Sequence, residues 1–341
     1  MAASAARPRE LDRRELTTPE RFLQEIVEPC QPVVLRGLVS DWPAVRAATR
    51  SVEELKEHLL AFAAGGPLEV FWGDAQIAGK YYYTEDGQGF NFERRRTTFK
   101  EALETIVSLL DRPGSPSLYL GSVPTSEYLP GFAAQNPLPW LPGVGPRIWL
   151  GHAANVSSHY DAMDNLACVI AGARRFTLFA PELIDRLYVG PIDHTMAGQP
   201  VSLAASSERT DADRFPLFEQ IRDRALIAEL GPGDALYLPK LWWHQVQSTA
   251  PFNGLVNYWW DAFSAGPDVP YASLLLAMIT IAERPLPERL AWQAFFDHYV
   301  FRTHGHPLAH VPAHQHGLLG PLKPDNYGKL RALVMHLLRG R

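Results

Sequence analysis

The sequence predicts a mainly β fold with flanking helices, and three observations carry that reading. Between residues 117 and 265, short alternating or apolar runs rich in Val, Ile, Tyr, Phe and Trp recur between Gly- and Pro-containing turns, the mark of a strand-dominated core. Before residue 116, apolar residues at helical spacing follow N-cap signals, with a few strand-like runs between them. After Gly266 the composition turns helical. The 341 residues exceed the roughly 150 of one average domain, although all-β units often run longer. The expected divisions are an α/β extension over 1–116, a β core over 117–265 and a helical segment over 266–341.

Taken in order, Leu16-Thr17-Thr18-Pro19-Glu20 is a helix start with Thr18 as N-cap and proline at the first helical position; Phe22, Ile26 and Val27 supply its apolar stripe. Residues 32–37 read as a buried strand. Ser51-Val52-Glu53-Glu54-Leu55 opens a helix with a capping-box pattern. Residues 68–72 are strand-like, and Tyr81-Tyr82-Tyr83 suits a packed sheet edge better than a binding cage. Phe99, Leu103, Ile106, Val107 and Leu110 have helical spacing, and prolines at 113 and 116 then break the chain before a strand at 117–120. Further strands are expected at 148–150, 165–170, 174–179, 235–238, 243–247 and 255–260. The polar stretch 197–214 reads as a long loop near a site mouth, and 217–226 as a short helix. In the last segment, residues 272–283 are apolar nearly all round, 287–300 carry Leu290, Trp292, Phe295, Phe296 and Tyr299, and 328–338 are amphipathic. A helix without a polar face needs cover on every side, so these helices are expected to pack together and to form a homodimer interface.

Composition is that of an ordinary globular chain, 46% hydrophobic and 20% charged. A net charge of -5 speaks against broad attraction to nucleic-acid phosphates, leaving local basic runs at Arg94-Arg95-Arg96 and Arg174-Arg175. Cys30 and Cys168 form no C-x-x-C and read as small buried side chains in a reducing compartment. The start, Met1 to Arg7, lacks the apolar region of a secretory signal, and no run of about 18 apolar residues spans a bilayer. A cytoplasmic protein without a membrane partner is expected, with disorder confined to the first dozen residues.

The chemistry concentrates in Asn155-Val156-Ser157-Ser158-His159-Tyr160-Asp161 and in the distant Pro239-Lys240-Leu241-Trp242-Trp243-His244. On an extended strand end His159 and Asp161 project to one side, and His244 arrives from another strand-like run. Two imidazoles and one carboxylate can hold one face of an octahedral ion and leave the other open, which suits Fe(II) meeting a co-substrate and dioxygen. A structural zinc would take four protein ligands. Among 12 histidines an H-x-D by itself is unremarkable, so its strand context carries the weight. The cluster His304, His306, His310, His314 and His316 is irregularly spaced among Gly and Pro and reads as a loop rather than a second metal site.

The patterns H-Y-D-x-x-x-N at 159–165, G-x-R-R-F-x-L-F-x-P at 172–181, P-G-D-x-L-Y-x-P-x-x-W-W-H at 232–244 and V-N-Y-W-W at 256–260 together resemble the cupin-like Jumonji-C oxygenases. Within them the chain looks most similar to the asparaginyl-hydroxylase group, the factor-inhibiting-HIF type. The match runs in order over roughly 15–261, including R-G-x-x-x-D-W-P at 36–43. The resemblance implies a double-stranded β-helix of cupin (jelly-roll) type, with an N-terminal α/β extension and C-terminal helices. It implies Fe(II) on His159, Asp161 and His244, with 2-oxoglutarate as co-substrate.

By the same resemblance Tyr119 matches the family's co-substrate hydroxyl, the other reading being a core tyrosine bonded locally. Asn165 and Asn257 match asparagines near the co-substrate's metal-binding end, and an asparagine inside an apolar strand is costly unless bonded. Arg174 stands where most relatives near the asparaginyl hydroxylase carry lysine. Strand alternation puts it on one face with Phe176 and Leu178; an arginine can clamp a carboxylate with two hydrogen bonds but needs more room. Ordinary surface charge is its alternative. Val156 replaces a threonine of the family, and Ser157 or Ser158 is the substitute hydroxyl. Trp259 would wall the site. Gln199 falls where the resembled hydroxylase holds its peptide, with a solvated loop glutamine as the alternative.

The implied activity is hydroxylation dependent on Fe(II) and 2-oxoglutarate, in which the co-substrate is decarboxylated to succinate and the metal carries the oxidation. Family analogy favours a protein or peptide side chain as substrate. Hydroxylation of a small metabolite or a tRNA base is a second reading, and a metal-binding cupin acting as a sensor or scaffold without turnover is the third.

Overall fold

Two facing sheets take up the alternating runs. The computed structural model describes residues 6–340 other than 17, 85–88, 194, 196–197, 206–211 and 265. Residues 1–5 of the start, Thr17 of the first helix signal, and 197 and 206–211 of the expected mouth loop lie outside the described residues. The chain forms two compact units, Met1–Asp261 and Ala262–Arg341.

The strands of the first unit are β1 (Arg9–Asp12), β2 (Val33–Arg36), β3 (Pro67–Gly73), β4 (Lys80–Tyr81), β5 (Glu93–Thr98), β6 (Ser117–Pro124), β7 (Pro146–Gly151), β8 (Ala154–His159), β9 (Asp164–Ala171), β10 (Arg174–Phe179), β11 (Leu226–Leu230), β12 (Ala235–Leu238), β13 (Trp243–Ser248) and β14 (Asn253–Trp260). The larger sheet has the order β1-β2-β12-β9-β14-β7-β6-β3-β5 and the smaller β11-β10-β13-β8-β4. From β7 to β14 the chain passes between the sheets so that β12-β9-β14-β7 oppose β11-β10-β13-β8. That alternation is the jelly-roll of a cupin-like domain. The strands before residue 116 extend the same two sheets, β1, β2, β3 and β5 in the larger and β4 in the smaller.

Between the sheets, Ala167, Val169, Leu236 and Leu255 meet Phe176, Leu178, Leu230 and Val246 in one core. Outside the smaller sheet, Phe179 and Trp243 are covered by Leu183, Leu187, Phe215 and Phe218 from the long β10–β11 connection. Phe99–Leu109 packs against β3 and β6, starting from a full capping box in which Thr98 and Glu101 satisfy each other's backbone N–H. At Ser51 only half of that box forms: its Oγ accepts from Glu54 N at 3.1 Å.

Three strands lie where none was expected. β1 (Arg-Glu-Leu-Asp) and β5 (Glu-Arg-Arg-Arg-Thr-Thr) bound the larger sheet, so each keeps a polar, solvent-facing character that hides it from a pattern search. β11 bounds the smaller sheet and takes Leu226 from the expected helix, of which only Pro216–Glu219 and a turn at Arg222–Arg224 form. Cys168 is buried as expected, but Cys30 is exposed and sits at φ 51° in a turn.

The R-G and P-G-D motifs meet. Arg36 Nη1 donates to Asp234 Oδ2 at 2.7 Å and to the Glu229 carbonyl at 2.8 Å, while Asp234 also accepts the N–H of Gly37 at 2.9 Å and of Gly231 at 3.2 Å. Gly233 is at φ 96°, and a Cβ there would lie 2.5 Å from Ser40 Oγ. The turn that delivers β12 is therefore pinned to the end of β2.

In the second unit the helices are Pro270–Ile281, Leu286–Phe296 and Pro324–Leu338. The first two bury no residue at all; Ile279 is 83% exposed. Among the described residues of this unit, neither helix is covered in the way that close packing of the helices on one another would require. His306 and His316 stack at 4.5 Å and bond the carbonyls of Leu319 and Val311, so both fasten a loop. No described helix is long and apolar enough to cross a membrane.

Replacing Asp234 by Ala leaves two backbone donors without their acceptor and takes one carboxylate from Arg36, which keeps Glu10 and the Glu229 carbonyl, and should cost about 2–3 kcal/mol. A lower urea midpoint at unchanged m-value is the expected result; an unmoved midpoint would show that the turn does not depend on this carboxylate.

Candidate metal and co-substrate site

β8 and β13 are antiparallel neighbours with His159 directly opposite His244, so the two imidazoles face each other at a centroid distance of 4.2 Å. Asp161 lies two residues beyond the end of β8. Its carbonyl accepts the Leu241 N–H at 2.8 Å, which fixes the backbone there, and its Oδ2 is 3.8 Å from His244 Nε2. The three donor atoms all lie within 4.8 Å of one another, near enough to share one cation.

Both imidazoles are set to act as ligands. His159 Nδ1 is 2.8 Å from the Ser157 carbonyl and His244 Nδ1 is 3.0 Å from the Trp242 carbonyl. A carbonyl only accepts, so Nδ1 carries the proton in each ring and Nε2 keeps its lone pair for a metal. Burial, with His159 adjacent, holds the His244 pKa down to about 4, keeping it neutral at physiological pH.

The triad opens into a cavity. The other candidate residues also line it, each from a different element. Arg174, at the start of β10, is 3% exposed; its Nε and Nη2 are buried with no hydrogen-bond partner, and it donates to the Tyr119 hydroxyl. Burial pushes the Arg174 pKa down and that of Tyr119 up. A buried guanidinium with unused donors is costly unless an anion joins it, and its planar donors match the geometry of a carboxylate. Arginine being an ordinary surface charge is excluded by its burial.

Asn165 and Asn257 are linked in one relay. Trp149 Nε1 donates to Asn257 Oδ1 at 2.7 Å, and Asn257 Nδ2 donates to Asn165 Oδ1 at 3.1 Å. Because an indole can only donate, the sense of both amides is fixed. Ser157 lines the cavity beside Val156, with its Oγ 3.5 Å from the Tyr81 carbonyl, whereas Ser158 is buried away from it. Trp259 stands edge-on to Trp149 at 5.7 Å. Gln199 reaches the cavity wall from its loop rather than pointing to solvent; its Oε1 and Trp259 Nε1 are both buried without partners.

Sequence reasoning missed four aromatic wall residues. Tyr81 does occupy an edge strand, but its ring lines the cavity with Phe71 and Phe92, and burial pushes its hydroxyl up to about 12. Trp149 could have been found: alternation puts it on the face opposite Ile148 and Leu150, which are fully buried. Phe71 and Phe92 carry no such signal, because they meet only through long-range pairing. Replacing Arg174 by Met should leave the unliganded protein as stable as the parent or more so, by up to about 2 kcal/mol, since it removes stranded donors. A large fall in the urea midpoint would show that Arg174 is satisfied by the protein itself.

A family model for the cupin-like domain matches residues 19–266. The chain is 38% identical over 119 residues to Jumonji C domain-containing protein 5 of Drosophila melanogaster, which covers 35% of this chain and 28% of that protein. It is 26% identical over 260 residues to lysine-specific demethylase JMJ30 of Arabidopsis thaliana, covering 74% and 54% of the two chains. It is 25% identical over 279 residues to the bifunctional peptidase and (3S)-lysyl hydroxylase JMJD7 of Homo sapiens, covering 72% and 81%. The chain thus spans 28% and 54% of the first two of these relatives. Since the matched region takes in the jelly-roll sheets and all three members of the triad, the chain belongs to the cupin-like domain family and has Jumonji-C proteins among its relatives.

Proposed function

We propose that the protein is an Fe(II)- and 2-oxoglutarate-dependent oxygenase that hydroxylates a side chain of a protein or peptide. The observation that carries this reading is the pairing, in one cavity, of an open His-Asp-His triad with a buried arginine that lacks an anion. Arg174 and Tyr119 would hold the far carboxylate of the diacid, and Asn165, its amide oriented through Asn257, would bond the end nearer the metal. Iron and 2-oxoglutarate, when bound, supply with dioxygen the oxidising power for an unactivated C–H bond. The apolar wall of Phe71, Tyr81, Phe92 and Trp259 keeps bulk water away from the reacting centre.

Two groups bear on the substrate. Gln199 Oε1 is an unused acceptor and Trp259 Nε1 an unused donor, which favours a group that both donates and accepts, as an amide does. An ammonium would need a carboxylate, and among the described lining residues Asp161, committed to the triad, is the sole one. That difference supports an asparaginyl-type substrate here over the lysyl chemistry named for two of the relatives.

Succinate should form from 2-oxoglutarate only when Fe(II) is present, and Asp161→Ala should bring it to the enzyme-free level. Arg174→Met should raise the 2-oxoglutarate concentration required by about tenfold or more, in keeping with the loss of a charge-assisted pair. An Asp161→Ala protein that turns over like the parent would remove the triad from the reaction. Iron uptake without succinate would leave a metal-binding scaffold, and oxygen gained by a metabolite or tRNA base would move the substrate class.

The bare apolar surfaces of Pro270–Ile281 and Leu286–Phe296 fit a second copy of this chain as cover. Sedimentation at micromolar concentration should give a dimer, and Ile279→Lys should shift it to monomer; a monomeric parent would refute the interface.

A further inference from the structure

The turn between β12 and β13 touches two of the three triad members through its main chain. Leu241 N–H donates to the Asp161 carbonyl at 2.8 Å, and the Trp242 carbonyl accepts from His244 Nδ1 at 3.0 Å. Leu241 is held at φ 69°, a left-handed conformation that leucine avoids, and its side chain is 48% exposed. Packing of Leu241 therefore does not hold the turn in place. Trp242 contributes one tie, its side chain buried in the core between the sheets and its Nε1 donating to the Cys30 carbonyl at 3.2 Å.

The other tie is ionic. Lys240 Nζ lies 2.5 Å from Asp261 Oδ1 and 3.3 Å from Asp164 Oδ2. Asp164 opens β9 with its side chain 1% exposed, and its Oδ1 accepts the Tyr237 hydroxyl at 3.0 Å. Asp261 follows the last residue of β14, and Trp260 pairs with Asp164 across the two strands. The ammonium thus joins the turn to adjoining ends of two neighbouring strands of the larger sheet. Burial works against its charge, yet the two carboxylates hold its pKa above the ordinary lysine value. None of the three charged groups lines the cavity.

We propose that Lys240 is a positioning residue for the metal centre, its bridges to Asp164 and Asp261 clamping the turn that orients Asp161 and His244. The inference rests on the reading of the triad as a metal site. The clamp acts at a distance from the ion: it sets the height of the Leu241 N–H against Asp161 and the angle at which the Trp242 carbonyl meets the His244 ring. Loosening it widens the spread of the three donors without removing any of them.

The test measures Mn(II) binding to the full chain, by calorimetry and by the electron paramagnetic resonance of the bound ion. Lys240→Met alone strands the buried Asp164 charge, so the decisive variant is Lys240→Met with Asp164→Asn, which removes the charge and keeps the shapes. That pair should melt within a few degrees of the parent yet bind Mn(II) about tenfold more weakly, the usual loss when a group orienting a ligand is removed. Lys240→Arg, which keeps the charge, should recover most of that loss. A folded double variant with the parent's affinity overturns the proposal, as does a Lys240→Arg protein that binds no better than the double variant. A parent that takes up no Mn(II) overturns the metal reading itself, and the clamp with it.

Discussion

His159 stands opposite His244 across an antiparallel pair, and the register of that pair decides whether there is a metal site at all. Side chains alternate along a strand, so a slip of one residue would send His244 outward and bring Trp243 into the cavity. The register is held from outside as much as from inside. Trp243 is 1% exposed and packs against Tyr160 at 5.0 Å in the cluster formed with the long β10–β11 connection. The dipeptide Trp243-His244 thus has one side chain anchoring the outer face and one facing the ion, and the hydrophobic burial of the first fixes the coordination geometry of the second.

The same logic explains why the cavity stays open. A jelly-roll ordinarily fills the space between its sheets with aliphatic side chains, as Val169, Leu178, Leu230 and Leu236 do at one end. At the other end, paired polar groups replace them: two asparagines bonded to each other and to Trp149, an arginine bonded to a tyrosine, and the triad. Such groups cannot collapse onto one another without losing hydrogen bonds, so a volume persists that aliphatic side chains would have closed. The stability for this comes from the rest of the sheet pair and from the Arg36–Asp234 junction that fixes the strand entering the site.

Legibility in the sequence followed the range of the forces involved. The jelly-roll strands and the triad were readable because strand alternation and motif spacing are local signals, and Thr18 and Ser51 declared their helices because capping involves only a few consecutive residues. The edge strands β1 and β5 were invisible because an edge satisfies half its backbone with solvent and needs no apolar code, whereas the apolar start of β11 was absorbed into an expected helix. Tyr81 and Trp149 were misjudged or missed because their role depends on which strands become neighbours, here β4 beside β8 and β7 beside β14. Cys30 was expected to be buried from its apolar neighbours, but Val27 is buried while Cys30 lies on the turn that follows it. The Lys240–Asp164–Asp261 clamp joins residues from three separate segments, and no spacing rule brings such charges together in advance.

The arginine at 174 carries the last consequence. A lysine buried in the same place could shed its proton and wait as a neutral amine, since burial lowers the pKa of an ammonium far enough for that. A guanidinium has no such escape: even with burial pulling its pKa down, it remains charged at any physiological pH. The unliganded site must therefore carry a buried cation that, among the described residues, is met by the Tyr119 hydroxyl alone. Part of the affinity for a dicarboxylate would then come from relieving that cost. This makes the site selective for ligands that place an anion at this depth, because a neutral molecule filling the same volume would leave the guanidinium as stranded as before.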